Sequence, residues 1–296
     1  MRLDDYDPNA IDVVDQRGSG KSIAGRGGQI GCGTIVVALI AALVFGVDPS
    51  QMLGSGDLSQ GQGAMQQGQS GQGPITQGGQ NAGESCAVNA FSHEACNALS
   101  SLNKTWEPLF QQANIRFQRP TLNFYSQLGQ SGCGAAQSAM GPFYCPEDQG
   151  IYIDTDFYTE LDKRMGAGGD FARAYVVAHE YGHHIQKLLG LADQVRSAQS
   201  QNPGNANQLQ VKMELQADCY AGVWAARNRD KIEPGDFEEG LNAAHQIGDD
   251  TLTGGRAPES AFTHGSSAQR MEWLRKGLQT GDEDQCDTFA DMRRGR

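Results

Sequence analysis

The chain has 296 residues and a formal net charge of −12. That length accommodates one full-sized domain with additional segments. The acidic balance argues against a nucleic-acid partner, because such proteins need a basic face to displace counterions.

Residues 1–28 read as a polar N-terminal segment containing Arg17, Lys21 and Arg26. Ile30–Val47 (IGCGTIVVALIAALVFGV) follows with no charged residue. At about 1.5 Å rise per residue it reaches about 27 Å, enough for a hydrocarbon core of about 30 Å. Residues 29–47 are therefore expected to form a single transmembrane signal-anchor helix. Positive charge before the run and Asp48 after it predict a cytoplasmic N-terminus and an extracytoplasmic remainder. A bacterial cytoplasmic (inner) membrane location is the expectation, with one helix as the membrane contact. No small-x-small cleavage site follows the run, so the anchor is read as uncleaved. Residues 48–84 are rich in Gly, Gln and Ser and read as a flexible linker.

Residues 85–296 form the expected folded domain. Helices are predicted over 85–112, 156–165, 170–189, 208–229, 234–247 and 267–279. Short strands are predicted over 121–128 and 150–154, from their alternating pattern. The fold class is mainly α with a small β-sheet (α+β). Seven cysteines are present. Cys32 lies in the apolar run, and Cys86, Cys96, Cys133, Cys145, Cys219 and Cys286 lie beyond it. An even set there fits disulfides in an oxidising compartment. Short loops suggest Cys86–Cys96 and Cys133–Cys145, leaving Cys219–Cys286, among about 15 possible pairings.

The chemistry centres on His179-Glu180-Tyr181-Gly182-His183. Residues four apart share a helical face, so two imidazoles can hold one metal ion. Glu180 is rotated about 100° from His179, placed to take a proton from water beside the ion. Gly182 costs roughly 1 kcal/mol of helix propensity, which a close-packed neighbour would explain. A catalytic zinc site needs a third protein ligand and a position left for water. Glu214 is the expected third ligand, with Asp218, His264 and Cys219 as alternatives. Asp218, one turn later, is the expected acceptor for the free N–H of a ligand imidazole, which raises ligand basicity. His264 and Arg270 are candidates to line the site or steady a developing oxyanion. For Arg270 the plainer alternative is an ion pair beside an N-cap at Ser266. His93-Glu94 lacks a histidine at position 97, His184 is expected to pack away from the metal, and His245 to precede a turn with exposed acids.

The segments GPFYCPEDQGIYID, GDFARAYVVAHEYGHHIQKLLG, ELQADCYAGVWA, LNAAHQIGDD, FTHGSSAQRMEWLRKG and GDEDQCDTF resemble the bacterial putative neutral zinc metallopeptidase family. The E-x-x-A-D element is also similar to that of gluzincin peptidases. The resemblance implies a zincin-like metallopeptidase domain using Zn²⁺. It implies His179, His183 and Glu214 as ligands, Glu180 as base and Asp218 behind the ligands, with a peptide or protein as substrate. The rival expectations are a membrane-tethered zinc-containing binding or assembly factor, and a hydrolase acting on other bonds. Nothing in the chain predicts protein partners.

Overall fold

The computed structural model describes residues 1–17, 82–163, 166 and 168–290. In chain order it contains β1 (Asp12–Asp15), α1 (Ala82–Cys86), α2 (Ala90–Gln112), β2 (Thr121–Tyr125), β3 (Leu128–Ser131) and β4 (Gly134–Gln137). Next come β5 (Phe143–Cys145), β6 (Gly150–Asp154), α3 (Thr155–Lys163), α4 (Asp170–Leu188) and α5 (Leu191–Gln201). The last are α6 (Ala206–Arg227), α7 (Asp236–Gln246), α8 (Asp249–Leu252) and α9 (Ser267–Thr280). The α+β expectation stands: helices dominate, and one four-stranded sheet has the order β1-β2-β6-β5. β1, β2 and β6 run parallel, and β5 lies antiparallel to β6 on the edge. β3 and β4 form a separate hairpin.

The core lies between the sheet and α2, α4 and α6. Leu99, Leu102 and Trp106 of α2 meet Leu122, Phe124, Ile151 and Ile153 of the sheet, and Val177, Tyr181 and Trp224 of the inner helices. α6 is buried along most of its length, from Leu209 to Ala225. It packs against both α4 and α9, which explains its small, apolar sequence between charged ligand positions. Leu189, just past the end of α4, is 40% exposed.

The N-terminal residues depart from the expectation. Residues 1–17 were expected in a segment apart from the folded domain; they pack with it. β1 pairs with β2 in register from Asp12–Thr121 to Asp15–Phe124. Arg17 forks onto Asp15, donates to the Ser85 carbonyl at 2.8 Å and covers the Phe124 ring at 4.6 Å. Its charge is therefore held inside the fold rather than available as a membrane flank. The apolar run 30–47 and the linker 48–84 up to residue 81 lie outside the described residues. No helix among the described residues is long and apolar enough to cross a membrane.

Other differences are local. The helix predicted from residue 85 is broken at Asn89, whose side chain accepts from the Ser92 N–H and caps α2. The strand predicted over 121–128 ends at Tyr125, because Gln127 turns the chain with φ 63°. Disulfides join Cys86–Cys96, Cys133–Cys145 and Cys219–Cys286, the set that short loops suggest.

Candidate metal centre

α4 and α6 bring His179, His183 and Glu214 together. One atom of each lies within 4.8 Å of the others. Nε2 of His179 is 3.1 Å, and Nε2 of His183 3.4 Å, from the same Glu214 oxygen, Oε2. Zinc bonds of about 2.0–2.2 Å in a tetrahedron have ligand–ligand edges of roughly 3.3–3.6 Å. Both nitrogen–oxygen separations are close to that edge, and two imidazoles with one carboxylate are a donor set zinc favours. The residues present fit the ion.

The helices dictate which atoms face inward. The other Glu214 oxygen, Oε1, accepts from Gln210 one turn earlier on α6 at 2.8 Å, so Oε2 is the atom presented to the imidazoles. Nδ1 of His179 lies 2.7 Å from Oδ1 of Asp218, so its N–H donates there and Nε2 faces Glu214. Asp218 is fully buried and also accepts from the Tyr175 hydroxyl at 2.6 Å. Arg270 forks onto both its oxygens, each at 2.9 Å. Arg270 is 2% exposed, so its charge holds Asp218 and is not free to meet a substrate. A capping box, Ser266 with Gln269, starts α9 and sets the turn that carries Arg270.

Electrostatics follow from that packing. Burial alone would push the His179 ring down. The Asp218 carboxylate and its hydrogen bond, with Glu214 at the other nitrogen, outweigh burial and raise the ring to about 10. Burial opposes ionisation of Asp218, but Arg270 and His179 hold it at about 2. Burial likewise works against the Glu214 carboxylate, and His183 and His179 hold it well below the usual range. Glu180 behaves differently. Burial raises its carboxyl, the two imidazoles pull the other way, and no hydrogen bond to a described residue steadies it. A carboxylate left unbonded beside a metal site is suited to exchanging protons.

His264 lies on the loop before α9. Its Nδ1 is 3.1 Å from Oδ1 of Asp249, whose Oδ2 accepts the backbone N–H groups of Thr263, His264 and Gly265. The loop rests on α6 around Val211 and Leu215, either side of Glu214. Nε2 has no partner among the described residues, on a side chain 30% exposed. Asp249 was expected among exposed acids; it is 6% exposed and organises this loop. Sequence reasoning also missed Gln186, Gln210 and Tyr175. Tyr175 and Gln210 each lie four residues before a ligand, which is the helical spacing that could have found them. Cys219 is in a disulfide and is thereby removed as a ligand candidate. His184 faces away from the cluster, toward Tyr144 and the Gln118 carbonyl.

The sequence profile of the family described as "putative neutral zinc metallopeptidase" matches residues 5–289. The chain belongs to that family. Among its relatives, the uncharacterized protein YpfJ of Escherichia coli K12 is 49% identical over 199 residues, 65% of this chain and 69% of that protein. The uncharacterized protein Rv2575 of Mycobacterium tuberculosis is 42% identical over 207 residues, 64% of this chain and 68% of that protein. No solved structure matches the chain with significance.

Proposed function

We propose that this member of the zinc metallopeptidase family hydrolyses peptide bonds, with His179, His183 and Glu214 holding Zn²⁺ and Glu180 as general base. The observation that carries this reading is the convergence of two Nε2 atoms on Oε2 of Glu214, with the unbonded Glu180 next to His179. Zinc held there would supply a Lewis acid for the scissile carbonyl and acidify water. Glu180 accepts the proton of the attacking water and delivers it to the departing amine. Only as an imidazolium, with one N–H on Asp249, would His264 have a second N–H to offer the carbonyl oxygen as negative charge grows there. Asp218 and Arg270 keep His179 in the tautomer that leaves Nε2 for the metal. The three disulfides support a domain that works in an oxidising, extracytoplasmic compartment.

A binding or assembly factor would close the metal with a fourth protein ligand. The cluster among the described residues has three members, which favours the hydrolase. The test pairs metal analysis with peptide-library cleavage by the full chain. Glu180→Gln should keep one zinc per chain and lose at least about 10²-fold in turnover. Cleavage at the wild-type rate by that variant would remove Glu180 from the mechanism. A metal-free wild type would remove the whole reading.

A further inference from the structure

The two imidazoles of the centre are held by different chemistry. His179 rests on a carboxylate that is itself paired with Arg270. His183 rests on a chain of neutral amides. Nδ1 of His183 lies 2.9 Å from Oε1 of Gln186, one turn on along α4. Nε2 of Gln186 donates to the Met213 carbonyl at 2.7 Å and to Oε1 of Gln216 at 3.1 Å. Nε2 of Gln216 donates to the Cys286 carbonyl at 2.9 Å. Gln186 is fully buried and Gln216 is 5% exposed, so water does not compete with these bonds.

The polarity of this chain is set at its far ends. A backbone carbonyl can only accept, so the Cys286 carbonyl compels Gln216 to point its NH₂ there and its oxygen at Gln186. The Met213 carbonyl compels Gln186 in the same way. Both constraints leave the Gln186 oxygen facing His183. Its Nδ1 must then carry the proton, and Nε2 is the nitrogen free for a metal. The Cys286 carbonyl is itself fixed. Its side chain closes the disulfide to Cys219, and Thr288 exchanges hydrogen bonds with Lys212 on α6 at 2.8 and 3.0 Å.

We propose that Gln186 is the positioning residue for His183, and that Gln216 and the Cys286 carbonyl fix the direction of its amide. The C-terminal segment thus orients one metal ligand through two buried glutamines. This inference rests on the metal-site reading above. It predicts that losing the Gln186 oxygen weakens metal binding, whereas an oxygen acceptor alone suffices to restore it.

The experiment measures zinc affinity of the full chain by competition with a chelator, alongside thermal unfolding of the zinc-free protein. Gln186→Leu should bind zinc about 10–100-fold more weakly than wild type. Gln186→Glu keeps an acceptor toward Nδ1 and should bind at least about tenfold more tightly than Gln186→Leu, even if both unfold at a lower temperature. Equal losses in the two variants would reduce Gln186 to a packing residue and overturn the proposal, as would wild-type affinity in both. A wild type that binds no zinc would instead overturn the site reading beneath it. A nitrogen-15 spectrum of the histidine rings in zinc-loaded wild type decides the matter even if Gln186→Leu does not fold. A proton on Nδ1 of His183 is expected, and one on Nε2 overturns the assignment.

Discussion

His184 sits directly after a metal-facing imidazole and does a different job. It is fully buried, and a carbonyl at one nitrogen dictates its form. Nε2–H donates to Gln118 at 2.7 Å, so Nδ1 is the acceptor for the Tyr144 hydroxyl at 3.0 Å. Burial lowers the ring to about 4, against a small opposing pull from the Gln118 carbonyl. Its folded value lies below its unfolded value of about 6.5, so the unfolded chain binds the proton more readily. The stability is fully present above about 6.5 and is lost as pH falls through about 4, by roughly 3 kcal/mol in total. His184→Gln, compared with wild type by denaturant unfolding between those limits, should show a flatter pH dependence. Parallel curves would mean that the ring does not set the slope. At this scale the sequence was informative where helical spacing repeats a chemical type. His179 and His183, or Glu214 and Asp218, are pairs of that kind. Gln186, Gln216 and Asp249 escaped because a lone amide or carboxylate looks the same whether it is solvated or buried.

Helix crossings, more than helix composition, put the ligand atoms in register. A Cβ on Gly182 would stand 2.8 Å from Cα and 3.0 Å from the carbonyl oxygen of Ala217, which is the close neighbour its presence in α4 implied. α4 and α6 therefore touch backbone to backbone between His183 on one and Glu214 and Asp218 on the other. Gly182→Ala gains about 1 kcal/mol of helix propensity. It nevertheless should lower the thermal midpoint, because overpacking costs about 1–3 kcal/mol and the contact is backbone that cannot swing aside. Weaker zinc binding should accompany it. A raised midpoint with unchanged zinc affinity would show that the crossing tolerates spreading. α6 and α9 meet the same way, through Gly222 and Gly277, each with the other's Cα 2.9 Å from its would-be Cβ. That approach is what lets Arg270 reach Asp218. An apolar stripe made α4 legible before any coordinates, whereas α6, buried on nearly every side, was legible from its unbroken length of small and apolar residues. α5 was not, because only Val195 of its residues is buried and there is no stripe to read. β1 was missed for a different reason: four residues with a partner more than a hundred positions away carry too little local pattern.

Over the whole molecule, the longest disulfide loop ends on α6. The Cys219–Cys286 bridge spans 67 residues, and closing a loop of that size in the unfolded chain is worth about 4 kcal/mol in the entropy account. Replacing both cysteines by serine should lower stability by that order and weaken zinc binding, since the Cys286 carbonyl loses its anchor. Calorimetry with and without zinc measures both. An unchanged midpoint would show that packing of the C-terminal segment is sufficient alone. The other tie is the seat of residues 1–17, whose Arg17 guanidinium touches the Ser85 carbonyl just inside α1. Residues on either side of the stretch 18–81 thus touch each other. That stretch can be replaced by a short run of glycines and serines. The shortened protein should keep its fold and its metal content. If it does, β1 is an inherent strand of the domain; if it collapses, the excised stretch holds that strand in place from outside.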